Sequence, residues 1–327
     1  MKVGILGCGV IAQSMATTLI GIQNEGKYDI TLEAVAARDI DKAKDFAKKN
    51  NSPKAYGSYE ELVSDSDIDL IYVATPHSHH FEHMNLCIDH GKNVLCEKAF
   101  TANRKQAEEI LKKAEEKGIL VTEAMWVRYM PLTHTLQDIL KSNVIGEITN
   151  VSANLYYPID MVQRIYDPAL AGGALLDVGV YTLTFAAICL GEKIEKMTAD
   201  CVKFDTGVDS QSIMALTYSN NVMATCSCGA RGISDRKGII TGRKGYIIVE
   251  NINNPESITV FDYERNIIAE HVAPQQITGY EYQVYACKEA LDKGLTECPD
   301  CTHEQTLGIM SLMDQARAQM GIVFPFE

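Results

Sequence analysis

Over roughly its first 120 residues the chain repeats one unit, a short apolar run with little polar alternation followed by a helical pattern. VGIL leads into residues 13–22, LEAVAA into 41–49, DLIYVAT into 81–89 and VLC into 104–117, with ILVTEA closing the series. A strand with no polar side has to be covered on both faces, and strands separated by helices pair in parallel. The expected result is a doubly wound α/β domain, a Rossmann dinucleotide-binding fold over residues 1–122.

Past Gly146 the rhythm changes. ITNVSANLYY, MTADCVKF, SIMALTY, VMATCSC, GIITG, YIIVE and SITVFDY alternate apolar and polar residues, the pattern of a sheet with one wet face. Asn220-Asn221 and the RKG that starts at Arg243 fall between such runs as hairpin turns. One helix is expected over residues 173–189, and two more, over 280–293 and 303–320, end the chain. Residues 123–327 therefore read as an α+β domain on an open, mainly antiparallel sheet, with a last helix able to return to the first domain.

Composition narrows the partners to small molecules. A net charge of −13 argues against a surface for nucleic acid or an anionic membrane, and 46% hydrophobic with 22% charged residues is globular. No apolar stretch is read as reaching the ~18 residues of a membrane span. Strand-like sequence starts at Lys2 with no leader-like region ahead of it. Most of the ten cysteines, such as Cys8, Cys87, Cys96 and Cys189, sit in apolar surroundings, so a reducing cytoplasm is the expected location.

GILGCGVIA sets Gly7-x-Gly9-x-x-Ala12 directly after the first strand and at the opening of the first helix. Glycines there let the backbone turn tightly and approach a pyrophosphate, which the helix N-terminus stabilises. Gly7, Gly9, Val10, Ile11 and Ala12 are the expected cradle. An NAD site usually carries an acid at the end of the second strand for the ribose 2′-hydroxyl. Here VAARD has Ala37 in that place and Arg38 next, and an arginine suits a 2′-phosphate. NADP is expected over NAD, with Asp39 able to take the acid's part if the register is one or two residues off.

VLCEKAF raises a further question, because a strand that reads as buried ends in two opposite charges, Glu97 and Lys98. At the C-terminal edge of a parallel sheet, where doubly wound domains bind ligands, the lysine is placed for chemistry and Glu97 for holding the turn. GILGCGVIA, ATPHSHH, LCEKAF and GGALLDVGVY together resemble, in order and spacing, the glucose-fructose oxidoreductase/inositol dehydrogenase/MocA family. EAMWVRYMPL and DPALAGGALLDVGVY resemble its branch of dimeric dihydrodiol dehydrogenases and NADP-dependent D-xylose dehydrogenases.

The resemblance covers essentially the whole chain. It implies a nicotinamide-dependent dehydrogenase of a sugar, cyclic polyol or trans-diol, paired as a homodimer or homotetramer through the open sheet face. It implies that Lys98, from the family's E-K-P motif, lies next to the nicotinamide, and that Thr75, Pro76, His77, His80 and Glu97 line the cofactor turn. It also implies that Asp177 and Tyr181 are the second acid/base pair. The motif's proline is Ala99 here, and Lys98–Ala99 is expected trans, because a cis bond is readily permitted by proline.

Asp177 and Tyr181, four apart on an expected helix, share a face. An unperturbed tyrosine, pKa ~10, is a poor base at neutral pH, but a neighbouring ammonium favours phenolate. Lys98 and Tyr181 thus make a workable dyad, with either one carrying the proton. Asp177 then holds a substrate hydroxyl or positions Lys98. Trp126 and Arg128 are expected in the pocket, with plain packing the alternative for Trp126.

Cys298-x-x-Cys301-x-His303 looks like half a zinc site, but the nearest second pair, Cys226-x-Cys228, lies far back in sequence. His77, His79 and His80 occupy the cofactor turn, so no metal is expected. The competing functions are a cofactor-binding sensor that has lost the chemistry and a reductase of an imine or tetrapyrrole.

Overall fold

The computed structural model describes all 327 residues. Strands β1 Lys2–Leu6, β2 Thr31–Ala36, β3 Lys54–Tyr56, β4 Leu70–Val73, β5 Asn93–Glu97 and β6 Val121–Ala124 form one sheet. Their order is β3-β2-β1-β4-β5-β6, and every neighbouring pair is parallel. Helices α1 Val10–Glu25, α2 Ile40–Lys49, α3 Tyr59–Ser64, α4 His77–Asp89 and α5 Arg104–Lys117 make the connections. Strands β1, β4, β5 and β6 each bury four consecutive residues, which is why they show no polar alternation. The pattern reading does not register β3 and α3, which are too short to carry a period.

The second sheet comprises β7 Ile148–Tyr156, β8 Lys196–Lys203, β9 Asp209–Thr217, β10 Met223–Gly229, β11 Gly238–Gly242, β12 Gly245–Glu250, β13 Ser257–Asp262 and β14 Ile267–Val272. Its order is β14-β13-β12-β11-β7-β10-β9-β8, antiparallel except where β7 and β10 run parallel. The helices of this part are α6 Pro131–Lys141, α7 Gln163–Tyr166 and α8 Val180–Leu190. Val151, Ala153 and Leu155 of β7 and Ala224, Cys226 and Cys228 of β10 are buried beneath α8, and the alternate residues face outward. Strand β14 has no buried residue, hence no apolar alternation by which the sequence could announce it.

Two expectations are corrected. The segment Pro168–Leu190, a 3₁₀ turn at Pro168–Leu170 followed by the helical residues that lead into α8, is long and apolar enough to cross a bilayer by length and composition alone. The reading that no stretch reaches this limit does not hold; 83% of its apolar 18-residue window is buried in the fold, as in a core helix.

The second correction concerns the division of the chain. One compact unit is Met1–Trp126 with Gln275–Thr306, the other Val127–Pro274 with Leu307–Glu327. The expected break after residue 122, with a last helix able to return, leaves out that the first unit takes all of residues 275–306, which carry α9 Glu281–Asp292 and the start of α10 His303–Met320. That segment is bound to α1. Thr278 shares a 2.6 Å hydrogen bond with Thr18, the Tyr285 and Tyr28 rings are 4.5 Å apart, and a side chain at Gly21 would collide with Ile277.

Candidate functional site

In the first unit β1 runs into Gly7, whose φ of +109° suits glycine. A Cβ there would lie 2.8 Å from the Ala74 carbonyl oxygen. Gly9 is the N-cap of α1 at φ −86°, with no side-chain cap bond and no acid in the first turn. A Cβ on Gly9 would meet nothing within 4 Å, and Val10 is 89% exposed, so open space faces the helix N-terminus. Ile11 is half-buried, and Ala12 is wholly buried where α1 lies on the sheet. A bare helix N-terminus with room before it suits a pyrophosphate.

The two glycines should therefore fail differently. Gly7→Ala is expected to cost about 2–3 kcal/mol of stability for its forbidden φ and clash. Gly9→Ala should cost only about 0.5–1 kcal/mol, as a lost glycine cap. Both should weaken NADP binding, as thermal unfolding without cofactor and a fluorescence titration would read.

After β2, the Asp39 carboxylate caps α2, accepting from the Asp41 and Lys42 backbone at 3.0 and 3.4 Å. Arg38 instead lines a cleft of about 420 Å³ with Ser58, Tyr59, His79, Glu82 and His83. Ser58 and Glu61 form a capping box at the start of α3, which fixes that wall. His83 Nδ1 lies 2.9 Å from the Thr75 hydroxyl, and burial pushes its pKa down to about 4, so the ring is neutral. Of the cleft residues, the sequence reading singles out Arg38 and, in the HSHH turn, His79; the others come from elements too short or too far along the chain to be grouped by pattern.

At the end of β5, Glu97 is buried and accepts the Tyr72 hydroxyl. The Lys98–Ala99 peptide bond is cis, which overturns the expectation of a trans bond. What holds the turn is its surroundings rather than a pyrrolidine ring. Ala99 and Phe100 are fully buried, and the Ala99 carbonyl oxygen is 2.9 Å from His80 Nδ1. The other ring nitrogen of His80 is 2.8 Å from the Thr75 carbonyl oxygen. Burial pushes the His80 pKa down, so the neutral ring donates to one of these carbonyls. His80 thus lies between the Thr75 turn and the Lys98 turn, hydrogen-bonded to one of them. Pro76 caps α4, and the His77 ring stands edge-on to His80 at 5.8 Å.

Trp126 closes this unit, stacked on Tyr280 with ring centroids 4.2 Å apart. The Cys298–Cys301 turn is closed by a 3.0 Å backbone bond, and His303 Nε2 lies 2.8 Å from the Val121 carbonyl oxygen. No group of three or more His, Cys, Asp or Glu is arranged to hold a metal ion.

In the second unit Asp177 lies in a π-helical turn, Leu175–Gly179, that runs directly into α8, where Tyr181 is buried. Such widened turns are frequent at functional sites. Asp177 is itself buried and forms an ion pair with Arg164 of α7. The turn is anchored by Asp209, whose carboxylate accepts from Leu175 N and the Ser212 hydroxyl, both at 2.7 Å. Arg128, expected in the pocket, is buried and bonded to Glu192 at 2.9 Å. Arg164 is the residue that sequence reasoning missed here. It stands 13 positions before Asp177, a distance with no periodic meaning.

Two family models match the chain. An oxidoreductase family with an NAD-binding Rossmann fold covers residues 1–125, and a GFO/IDH/MocA C-terminal domain covers 133–248. The trans-1,2-dihydrobenzene-1,2-diol dehydrogenase of Xenopus tropicalis is 35% identical over 99% of each chain. That of Sus scrofa is 31% identical over 99% of this chain and 98% of its own. Among solved structures, KijD10, a 3-ketoreductase from Actinomadura kijaniata in complex with NADP and TDP-benzene, superposes with a TM-score of 0.87 at 26% identity over 98% of each chain. A levoglucosan dehydrogenase shares the fold with a TM-score of 0.87 at 14% identity, over 98% of this chain and 97% of its own.

Proposed function

We propose that this chain, which belongs to the GFO/IDH/MocA oxidoreductase family and is an NAD(P)-binding dehydrogenase of CH–OH groups, oxidises one hydroxyl of a sugar, cyclic polyol or trans-diol with NADP. The observation that carries the reading is the presence of Lys98, Asp177 and Tyr181 together at the family's motif positions, in a chain that aligns end to end with dihydrodiol dehydrogenases. A sensor that had lost the chemistry would have no need of all three.

The bound nicotinamide supplies the hydride acceptor. Tyr181 takes the proton of the reacting hydroxyl, and the Lys98 ammonium stabilises the phenolate that makes it a base. Asp177 accepts a hydrogen bond from a neighbouring hydroxyl and so orients the ring. Arg38 favours NADP over NAD: it lines the cleft beyond β2, while the adjacent acid Asp39 is committed to capping α2. NADPH formation with diols, aldoses and inositols tests the activity; tight NADP binding without turnover would mark a sensor instead.

A second copy of the chain covers the open sheet face. Support comes from its composition, with Ile213 and Met223 about half exposed beside Ala215, Thr225, Ser227 and Ser152, and with Asp200 paired across from Ile213. Sedimentation should return a dimer or tetramer and Ile213→Glu a smaller species; a wild-type monomer at micromolar concentration would contradict this. Ten free cysteines, most of them buried, suit a reducing cytoplasm.

A further inference from the structure

We infer that Arg164 is a specificity-determining residue, which with Asp177 reads two adjacent hydroxyls of the substrate; the inference rests on the dehydrogenase reading above. A carboxylate only accepts hydrogen bonds and a guanidinium only donates them. An alcohol hydroxyl does both. A paired carboxylate and guanidinium therefore match a vicinal diol better than either group alone, one hydroxyl donating to Asp177 while its neighbour accepts from Arg164.

The geometry of the pair favours this role. The Asp177 side chain is only 5% exposed, whereas that of Arg164 is 44% exposed, so the guanidinium has donor edges left over beyond the ion pair. Arg164 also passes over a nearer acid. Asp167, three residues on, instead accepts from Ala169 N at 2.9 Å and from the Gln163 amide at 3.2 Å. Asp160 lies 3.9 Å from Arg231.

The backbone is built to hold the pair. The Gly173 amide donates to the Ile165 carbonyl at 2.7 Å, and a Cβ on Gly172 would lie within 3 Å of the carbonyl oxygens of Arg164, Ile165 and Asp167. Glycine at 172 thus lets the start of the Asp177 turn run flush against α7.

The test compares kcat and KM for a vicinal-diol substrate and for its deoxy counterpart, with NADP, in the wild type, Arg164→Met and Arg164→Lys. The wild type should prefer the diol, and Arg164→Met should lose roughly 10–100-fold in kcat/KM on the diol, mainly through KM. Turnover of the deoxy compound should fall much less than that of the diol, NADP affinity should change little, and Arg164→Lys, which keeps the charge and a donor, should recover part of the loss. Equal losses on both substrates, or an unchanged preference in Arg164→Met, would overturn the inference while leaving the dehydrogenase reading in place. If Arg164→Met does not fold, Arg164→Lys decides: a preference no different from wild type counts against a reading role. A wild type that turns over neither compound while binding NADP overturns the dehydrogenase reading itself.

Discussion

Replacing Lys98 with methionine, or Tyr181 with phenylalanine, should cut kcat by about 10²–10⁴-fold, the usual contribution of a positioned acid–base group. NADP binding should survive in both. The two losses arise differently. Tyr181→Phe removes the oxygen that accepts the proton and leaves the buried ring in α8, so the variant should fold as the wild type does. Lys98→Met removes the cation that favours phenolate but keeps the length of the side chain at the end of β5. Stopped-flow measurement of the hydride step, with cofactor affinity determined separately, would distinguish lost chemistry from lost binding. Full activity in either variant would remove the dyad from the mechanism.

Arg38→Ala should weaken NADP binding by roughly 10–100-fold and leave NAD binding nearly unchanged, because a charge-assisted bond to the 2′-phosphate is lost and NAD has no such group. The side chain is exposed, so the substitution should leave the melting temperature almost where it was. Asp39→Ala is the control. Its carboxylate caps α2, so it should cost about 0.5–2 kcal/mol of stability without changing cofactor preference. A variant at Arg38 that loses NAD and NADP affinity equally would assign the cleft to some other part of the dinucleotide.

The first unit was legible because its strands are covered on both faces, and that requirement writes itself into the sequence as unbroken apolar runs such as Leu70–Val73. The glycines were legible for a related reason: Gly7 has a backbone conformation that few other residues adopt readily. Strand β14 and helix α3 were not, the one having no buried face and the other too few residues. Residues 275–306 show that amphipathicity reveals a buried face and not the surface it meets. The Lys98–Ala99 bond is expected trans because Ala99 replaces the motif's proline, and the structure has it cis. Arg164 escaped because no sequence rule links it to Asp177; only the approach of α7 to the Gly172-Gly173 turn does.

The most direct measurement is the initial rate of NADPH formation by the purified wild type, with NADP and with NAD, across trans-diols, inositols and aldoses. A saturable rate with at least one of these alcohols, faster with NADP than with NAD, is the expected result. Stoichiometric NADP binding with no NADPH formed from any of them, and no NADPH consumed with the matching ketones, would contradict it.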